Sequence, residues 1–292
     1  MMFDYPLGIA MGSLYGMLAL VSLTTMPLRN KRDCQQICSQ INSWWRIFPF
    51  VTGALLFYPL GLAALAILVC MLSIMELASH AGDLANLFRV QATVLVLFII
   101  PCGYVQPVIL FFLIVGIGSL GVLLWVSHSR IVLLWMLFGS ILLCGIILTK
   151  LTALSLEESA VRSWIFFLFV LTALNDIGQF VFGKLFGKRK IVPNISPNKT
   201  WGGLFGGIGT SVLVSLLLGL WLELGNPFLL IIIAIILALS GFLGDIIFSA
   251  AKRFIGVKDF SNLLPGHGGI LDRIDSLILT APVFYGILSI VY

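Results

Sequence analysis

The chain has 292 residues, of which 60% are hydrophobic and only 10% are charged, whereas soluble domains carry about 25% charged residues. Together with a mean hydropathy of +1.12, this composition excludes a soluble enzyme. It predicts an all-α polytopic integral membrane protein, because the long apolar runs lack the alternation of barrel strands. The net charge of +5 does not indicate nucleic-acid binding, since the basic residues lie in short loops between apolar segments.

The apolar segments follow one another along the whole chain. A membrane-spanning helix needs about 20 apolar residues. Two runs are too long for one helix: one is divided at Pro59, and the other, interrupted at 101–103 and at Pro107, is divided before Pro107. The polar stretch 33–44 is interpreted as part of a loop. About ten transmembrane helices result, or eight to ten because some segments are short. The predicted helices are 6–28, 46–58, 60–78, 90–105, 107–127, 130–150, 161–183, 202–222, 227–251 and 275–292.

The basic residues are distributed unequally among the loops. With the N-terminus outside, the loops that face inside and their edges contain all of the 17 lysines and arginines except Lys150 and Arg162. This distribution follows the positive-inside rule. It predicts that the charged segments 184–200 and 245–275 both face the cytoplasm, where nucleotides are found.

The segment 245–275 concentrates charge in an otherwise apolar chain. On a helix, Asp245, Ser249, Lys252 and Arg253 fall within about a 100° arc. A carboxylate this deep in an apolar segment is costly and therefore suggests a functional site. It could hold a divalent metal while the cations bind phosphate oxygens. For Lys252 and Arg253 the alternative is a helix end whose side chains extend to the membrane interface.

Two glycines and two carboxylates follow in the same segment. Gly268 and Gly269 precede a helix, where they would let backbone N–H groups approach an anion. Asp272 and Asp275 are three residues apart and share a helix face. Together with Asp245 they suit one or two Mg²⁺ ions bound beside substrate phosphates. The alternative is a local Asp–Arg–Asp cluster that only neutralises itself.

Two upstream segments carry weaker signals. Ser196, Lys199 and Thr200 are donors suited to phosphate just before a predicted helix, although a basic cytoplasmic loop is equally ordinary and the spacing is not that of a Walker A site. Asn175 and Asp176 lie in an apolar helix, where a structural hydrogen-bonded pair is the alternative to a substrate contact.

The motifs together resemble a known family. The sequence SAAKRFIGVKDFSNLLPGHGGILDRID, residues 249–275, is similar to the signature of the phosphatidate cytidylyltransferases (CDP-diacylglycerol synthases). Residues 175–188 and 196–203 resemble the two upstream motifs of that family in the same order. The resemblance covers roughly 170–292. It implies N-terminal transmembrane helices over 1–160 and a catalytic transmembrane region over 161–292.

The resemblance also implies an activity. The family transfers a cytidylyl group from CTP to phosphatidic acid with Mg²⁺ as cofactor, giving CDP-diacylglycerol and pyrophosphate. A bacterial inner-membrane location and a homodimer are further expectations. The metal ligands would be Asp245 and Asp272. The residues expected in catalysis are Lys252, Arg253, Lys258, His267, Arg273 and Asp275. The residues expected to bind substrate are Asn175, Asp176, Ser196, Lys199, Thr200, Ser249, Gly268 and Gly269.

The chain departs from the usual pattern of this family in three places. Phe248 and Gly202 stand where the family usually has Glu, and the D-x-G-A-Y motif is changed to DIGQF at 176–180. A CTP-dependent lipid kinase, or a transferase acting on another lipid phosphate, is therefore an alternative. A membrane transporter and a non-catalytic paralogue are alternatives from other classes. Clustering of the charges at one face argues against the transporter, and the retained Asp245 and Asp272 argue against the non-catalytic paralogue.

Overall fold

A computed structural model describes residues 5–25, 32–103, 107–261 and 268–292, and these residues form ten α-helices and no β-strand. Eight of the helices, all except α2 and α5, are long and apolar enough to cross a membrane. The chain is therefore an all-α polytopic membrane protein, as predicted. The helices are α1 Tyr5–Thr25, α2 Arg32–Leu56, α3 Leu60–Ala78, α4 Ala85–Gly103, α5 Pro107–Ser127, α6 Arg130–Lys150, α7 Glu158–Phe186, α8 Trp201–Trp221, α9 Pro227–Ile255 and α10 Leu271–Val291.

The helix boundaries differ from the prediction mainly where polar residues are helical. The interpretation of 33–44 as a loop is wrong, because α2 begins at Arg32 and continues to Leu56. Its apolar residues recur at the spacing of an amphipathic helix, with polar residues between them. This part of the helix therefore needs no unbroken apolar run. Helix α10 begins earlier than predicted, and Asp272 and Arg273 lie in its first turn.

Helices α7 and α8 approach each other closely because α8 is rich in glycine. There is no room for a Cβ atom on Gly206 against the side chain of Phe182, and a Cβ on Gly203 would lie 2.8 Å from the backbone carbonyl of Gln179. Small residues allow this kind of backbone contact between membrane helices. The contact sets the charged end of α7 beside the start of α8.

Contacts between helix ends show which ends lie together in the bundle. Trp221 at the end of α8 donates to the Pro6 carbonyl at 3.1 Å, and the Tyr292 hydroxyl donates to the Leu224 carbonyl at 3.0 Å. These contacts bring the start of α1 and the ends of α8 and α10 to one end. The ends of α7 and α9 and the starts of α8 and α10 meet at the other end, which carries the charged motifs.

Candidate active site

Two ion pairs join the charged motifs. Lys252 Nζ lies 2.7 Å from Asp272 Oδ1, and Lys199 pairs with Asp245. The side chains of these four residues are between 7% and 23% exposed. Helix α9 presents Asp245 and Lys252 on one face because they are seven residues, or about two turns, apart. The Ser249 hydroxyl between them donates to Asp245 Oδ1 at 3.3 Å.

Two further carboxylates border these pairs. Asp176 accepts hydrogen bonds of 3.0 and 3.2 Å from the Ser276 hydroxyl. Asp275 is 8% exposed and accepts the Ser276 backbone N–H at 2.8 Å. Helix α10 brings Asp275 close to the Asp245 end of α9, since a Cβ on Gly244 would lie 2.5 Å from the Asp275 carbonyl oxygen. Together these residues form a carboxylate–lysine cluster of Asp176, Lys199, Asp245, Lys252, Asp272 and Asp275.

Asp272 is held by backbone donors as well as by its lysine. Its Oδ2 atom accepts the Gly269 N–H at 2.9 Å and the Phe260 N–H at 3.3 Å. Gly268 has a φ of +77°, and a Cβ there would lie 2.6 Å from Asp272 Oδ2. Both properties require glycine. The Gly269 N–H expected to face a substrate anion is thus occupied by a carboxylate of the protein itself.

Glu76 on α3 was missed by the sequence analysis. It is 4% exposed, and its Oε1 atom accepts the Ser261 hydroxyl and the Ile270 N–H, both at 2.7 Å. Its Oε2 atom accepts the Leu271 N–H at 3.0 Å. A single acid in an apolar helix is the signal that could have identified it, because buried charge in a membrane is costly.

Asn175 and Gln179 lie side by side on the buried face of α7. Asn175 Oδ1 accepts the Ser211 hydroxyl at 3.3 Å, and Gln179 Oε1 accepts from Lys199 Nζ at 2.9 Å. Within the described ranges, the side-chain amide nitrogens of Asn175 and Gln179 are buried without a hydrogen-bond partner. Gln179 belongs to the changed DIGQF segment, so one of the family departures contacts the cluster directly.

The segment before α8 has a structural role besides the contact of Lys199. The Thr200 hydroxyl accepts the Gly203 N–H at 3.1 Å and caps α8. Ser196 is half-buried, and its backbone carbonyl accepts the Lys199 N–H at 3.2 Å. These contacts orient Lys199 toward α9.

The remaining predicted cations are placed differently. Arg253 is exposed and donates to the carbonyls of Ile195 at 3.2 Å and Val257 at 3.3 Å. These bonds join the end of α9 to the segment before α8. Lys258 is exposed in the turn that follows α9. His267 lies outside the described residues.

Phe248 and Gly202, the two positions where the family usually has Glu, are packed against neighbouring segments. Phe248 is 2% exposed, and its ring packs edge-on against Phe260 with the centroids 6.2 Å apart. A Cβ on Gly202 would lie 2.7 Å from the carbonyl oxygen of Phe186. An acidic side chain at Gly202 would therefore separate α7 from α8.

A cavity of about 580 Å³ lies beside the carboxylate–lysine cluster. It is lined by residues of α1, α2, α3, α6, α7 and α10, most of them apolar, and Asp176 and Arg273 contribute to its polar part. A mostly apolar cavity with a few convergent polar groups is typical of a ligand site. Its apolar lining includes Leu14, Met17, Val51, Val69, Phe166 and Phe169.

The carboxylate oxygens of the cluster are of the type that Mg²⁺ binds. Mg²⁺ is usually held by one or two carboxylates together with substrate phosphates and water. Across the described ranges, no three acidic, histidine or cysteine side chains form a ligand group. Asp245 and Asp272 instead face lysines. The described side chains therefore do not form a complete ligand set, and an ion at Asp245 or Asp272 would need substrate phosphates to complete its coordination.

Residues 38–291 match the sequence model of the cytidylyltransferase family. The chain belongs to this family. Among its relatives, the phosphatidate cytidylyltransferase of Staphylococcus epidermidis is 48% identical over 121 residues, which cover 41% of this chain and 46% of the relative. That of Bacillus subtilis is 40% identical over 129 residues, covering 44% and 48%. The uncharacterized protein YnbB of Escherichia coli is 48% identical over 121 residues, covering 41% of both chains. The chain spans less than half the length of these curated relatives.

Proposed function

We propose that this cytidylyltransferase family member transfers the cytidylyl group of CTP to phosphatidic acid, giving CDP-diacylglycerol and pyrophosphate. One observation carries the proposal: the carboxylate–lysine cluster borders an apolar cavity of about 580 Å³. A lipid phosphate combines acyl chains with an anionic group and therefore matches both parts of this site. The names of the Staphylococcus epidermidis and Bacillus subtilis relatives support the same assignment.

In the proposed reaction, an oxygen of the phosphatidate phosphate forms a bond with the α-phosphorus of CTP. The bond from that phosphorus to the bridging oxygen breaks, and pyrophosphate leaves with the electron pair. Lys199, Lys252 and Arg273 neutralise the negative charge of the phosphates that meet here. Catalysis then depends mainly on positioning and on charge stabilisation.

Asp245 and Asp272 would hold Mg²⁺, and Asp176 and Asp275, which both contact Ser276, border the same site. When bound, the ion neutralises phosphate charge and helps to orient the nucleotide. Asn175 and Gln179 add buried amide N–H donors that are suited to oxygen atoms of the nucleotide.

We also propose that this end of the bundle faces the cytoplasm, in the inner membrane of a bacterium. Apart from Lys150 and Arg162, and from Arg46 within α2, the described lysines and arginines lie in loops or near helix ends that the sequence assigns to that side, in agreement with the positive-inside rule. CTP would reach the site from the cytoplasm, and phosphatidic acid would reach it from the membrane.

The proposal is tested by incubating the purified protein in detergent with CTP, Mg²⁺ and phosphatidic acid. Pyrophosphate release that requires all three components, with CDP-diacylglycerol formed in equal amount, is the expected result. Release with another lipid phosphate but not with phosphatidic acid would assign a different acceptor. No release from a folded protein with any lipid phosphate would overturn the proposal.

A further inference from the structure

We propose that Glu76 is a positioning residue that sets the geometry of Asp272 for the reaction, although it lies on α3, outside the charged motifs. This inference rests on the proposed function, which gives Asp272 its role. Glu76 accepts hydrogen bonds from residues on both sides of 262–267: the Ser261 hydroxyl on one side and the N–H groups of Ile270 and Leu271 on the other.

The hydrogen bonds explain how a carboxylate can be buried at this place. An ionised side chain that is 4% exposed is costly unless hydrogen bonds compensate it. The first N–H groups of α10 in turn have no partner within their own helix. A negative charge at this helix end is favourable because the helix dipole is positive there. Glu76 and the start of α10 therefore stabilise each other.

Gly269 connects Glu76 to Asp272. Its backbone N–H donates to Asp272 Oδ2 at 2.9 Å, and a Cβ atom on Gly269 would lie 2.6 Å from the carboxyl carbon of Glu76. A residue with a side chain would push the Glu76 carboxylate away from the start of α10. The backbone between the two carboxylates is thus fixed from both sides.

The segment just after α3 holds the other backbone donor to Asp272. His80 Nε2 lies 2.8 Å from the Phe260 carbonyl oxygen, and the Phe260 N–H donates to Asp272 Oδ2. Glu76 and His80 therefore contact both backbone segments that hold the Asp272 carboxylate. In this way the N-terminal half of the chain determines the geometry of a motif in the C-terminal half.

The first test replaces Glu76 with glutamine in the full-length protein. In Glu76→Gln, an amide nitrogen replaces one of the two carboxylate oxygens that accept hydrogen bonds from Ser261, Ile270 and Leu271. We expect kcat to fall about 10–100-fold, the usual effect of removing a residue that orients a metal-binding side chain. The Mg²⁺ concentration for half-maximal rate should rise, while KM for phosphatidic acid stays the same. Glu223→Gln, in an exposed turn, is the matched control and should change neither value.

The second measurement does not depend on activity. Hydrogen–deuterium exchange over 268–275 should become faster in Glu76→Gln and stay unchanged in Glu223→Gln. Faster exchange with unchanged kcat and Mg²⁺ dependence would show that Glu76 only stabilises α10, and would overturn the inference. Unchanged exchange would overturn it too. If the unaltered protein has no activity, the proposed function fails, and the exchange result alone decides whether the Glu76 contact exists.

A compensating pair tests the same contact if Glu76→Gln does not fold. Gly269→Ala should lower kcat, because its methyl group collides with the Glu76 carboxylate. Glu76→Asp shortens that side chain by one methylene, so the double variant should recover part of the activity that Gly269→Ala loses. A double variant no better than Gly269→Ala would contradict the inference.

Discussion

Lys252 Nζ lies 2.7 Å from Asp272 Oδ1, and this pair joins the end of α9 to the first turn of α10. Both side chains are mostly buried, at 12% and 7% exposure. Removing one partner of such a pair leaves the other charge uncompensated and costs about 3–5 kcal/mol. The pair therefore supports both the local structure and the proposed chemistry, and variants must be tested for folding as well as for activity.

Asp272→Asn should abolish turnover. The amide keeps the shape of the side chain but removes the charge that Lys252 and a Mg²⁺ ion require, so pyrophosphate release should fall at least about 100-fold. Asp245→Asn should behave in the same way. Asp83→Asn, at an exposed position near the same end of the bundle, is the control and should keep the full rate. A near-normal rate in Asp272→Asn would remove this residue from the metal site.

Gln179→Ala should have a smaller effect. The change removes one hydrogen bond of 2.9 Å to Lys199 but leaves the ion pair of Lys199 with Asp245. A hydrogen bond contributes about 1 kcal/mol, so kcat/KM should fall about fivefold. Gln91→Ala, exposed on α4, serves as the control. A loss as large as that of Asp245→Asn would mean that Gln179 takes part in the chemistry itself.

Gly202→Ala should destabilise the protein without a direct effect on the cluster. Its Cβ would lie 2.7 Å from the Phe186 carbonyl oxygen, and forcing atoms into such a contact typically costs about 1–3 kcal/mol. Thermal unfolding in detergent should therefore occur at a lower temperature. Gly209→Ala on the same helix has open space around the new methyl group and should unfold no earlier than the unaltered protein. Equal melting temperatures for the two variants would contradict the close packing of α7 and α8.

Ala173→Phe should weaken the binding of the lipid substrate and leave the binding of the nucleotide unchanged. Ala173 lines the cavity, and a phenyl ring there would occupy space proposed for acyl chains. KM for phosphatidic acid with long chains should rise, KM for CTP should stay the same, and a short-chain phosphatidic acid should be affected less. Ala153→Phe, exposed just after α6 and outside the cavity lining, is the control. A higher KM for CTP alone would assign the cavity to the nucleotide.

The helices could be predicted wherever a run of apolar residues was interrupted by proline, glycine or charge. The division between α2 and α3 at Pro59 is one example. The start of α2 could not be predicted in this way, because residues 33–44 form a helix without an apolar run. Its amphipathic spacing was the available signal.

The candidate site was predictable only in part. Asp245 and Asp272 were identified because charge is costly in apolar segments, and the structure brings both into ion pairs. Glu76 carries the same signal on α3 but stands alone in the sequence. Its partners Ile270 and Leu271 are apolar residues that contribute only backbone N–H groups, and such contacts leave no pattern in the sequence.

The most direct test of the central claim follows the phosphorus atoms of CTP. The purified protein is given phosphatidic acid, Mg²⁺ and CTP that carries radioactive phosphorus at either the α or the γ position. Cytidylyl transfer predicts that the α label appears in the lipid product and the γ label in pyrophosphate. The γ label in the lipid would contradict the account, because it would identify a CTP-dependent lipid kinase.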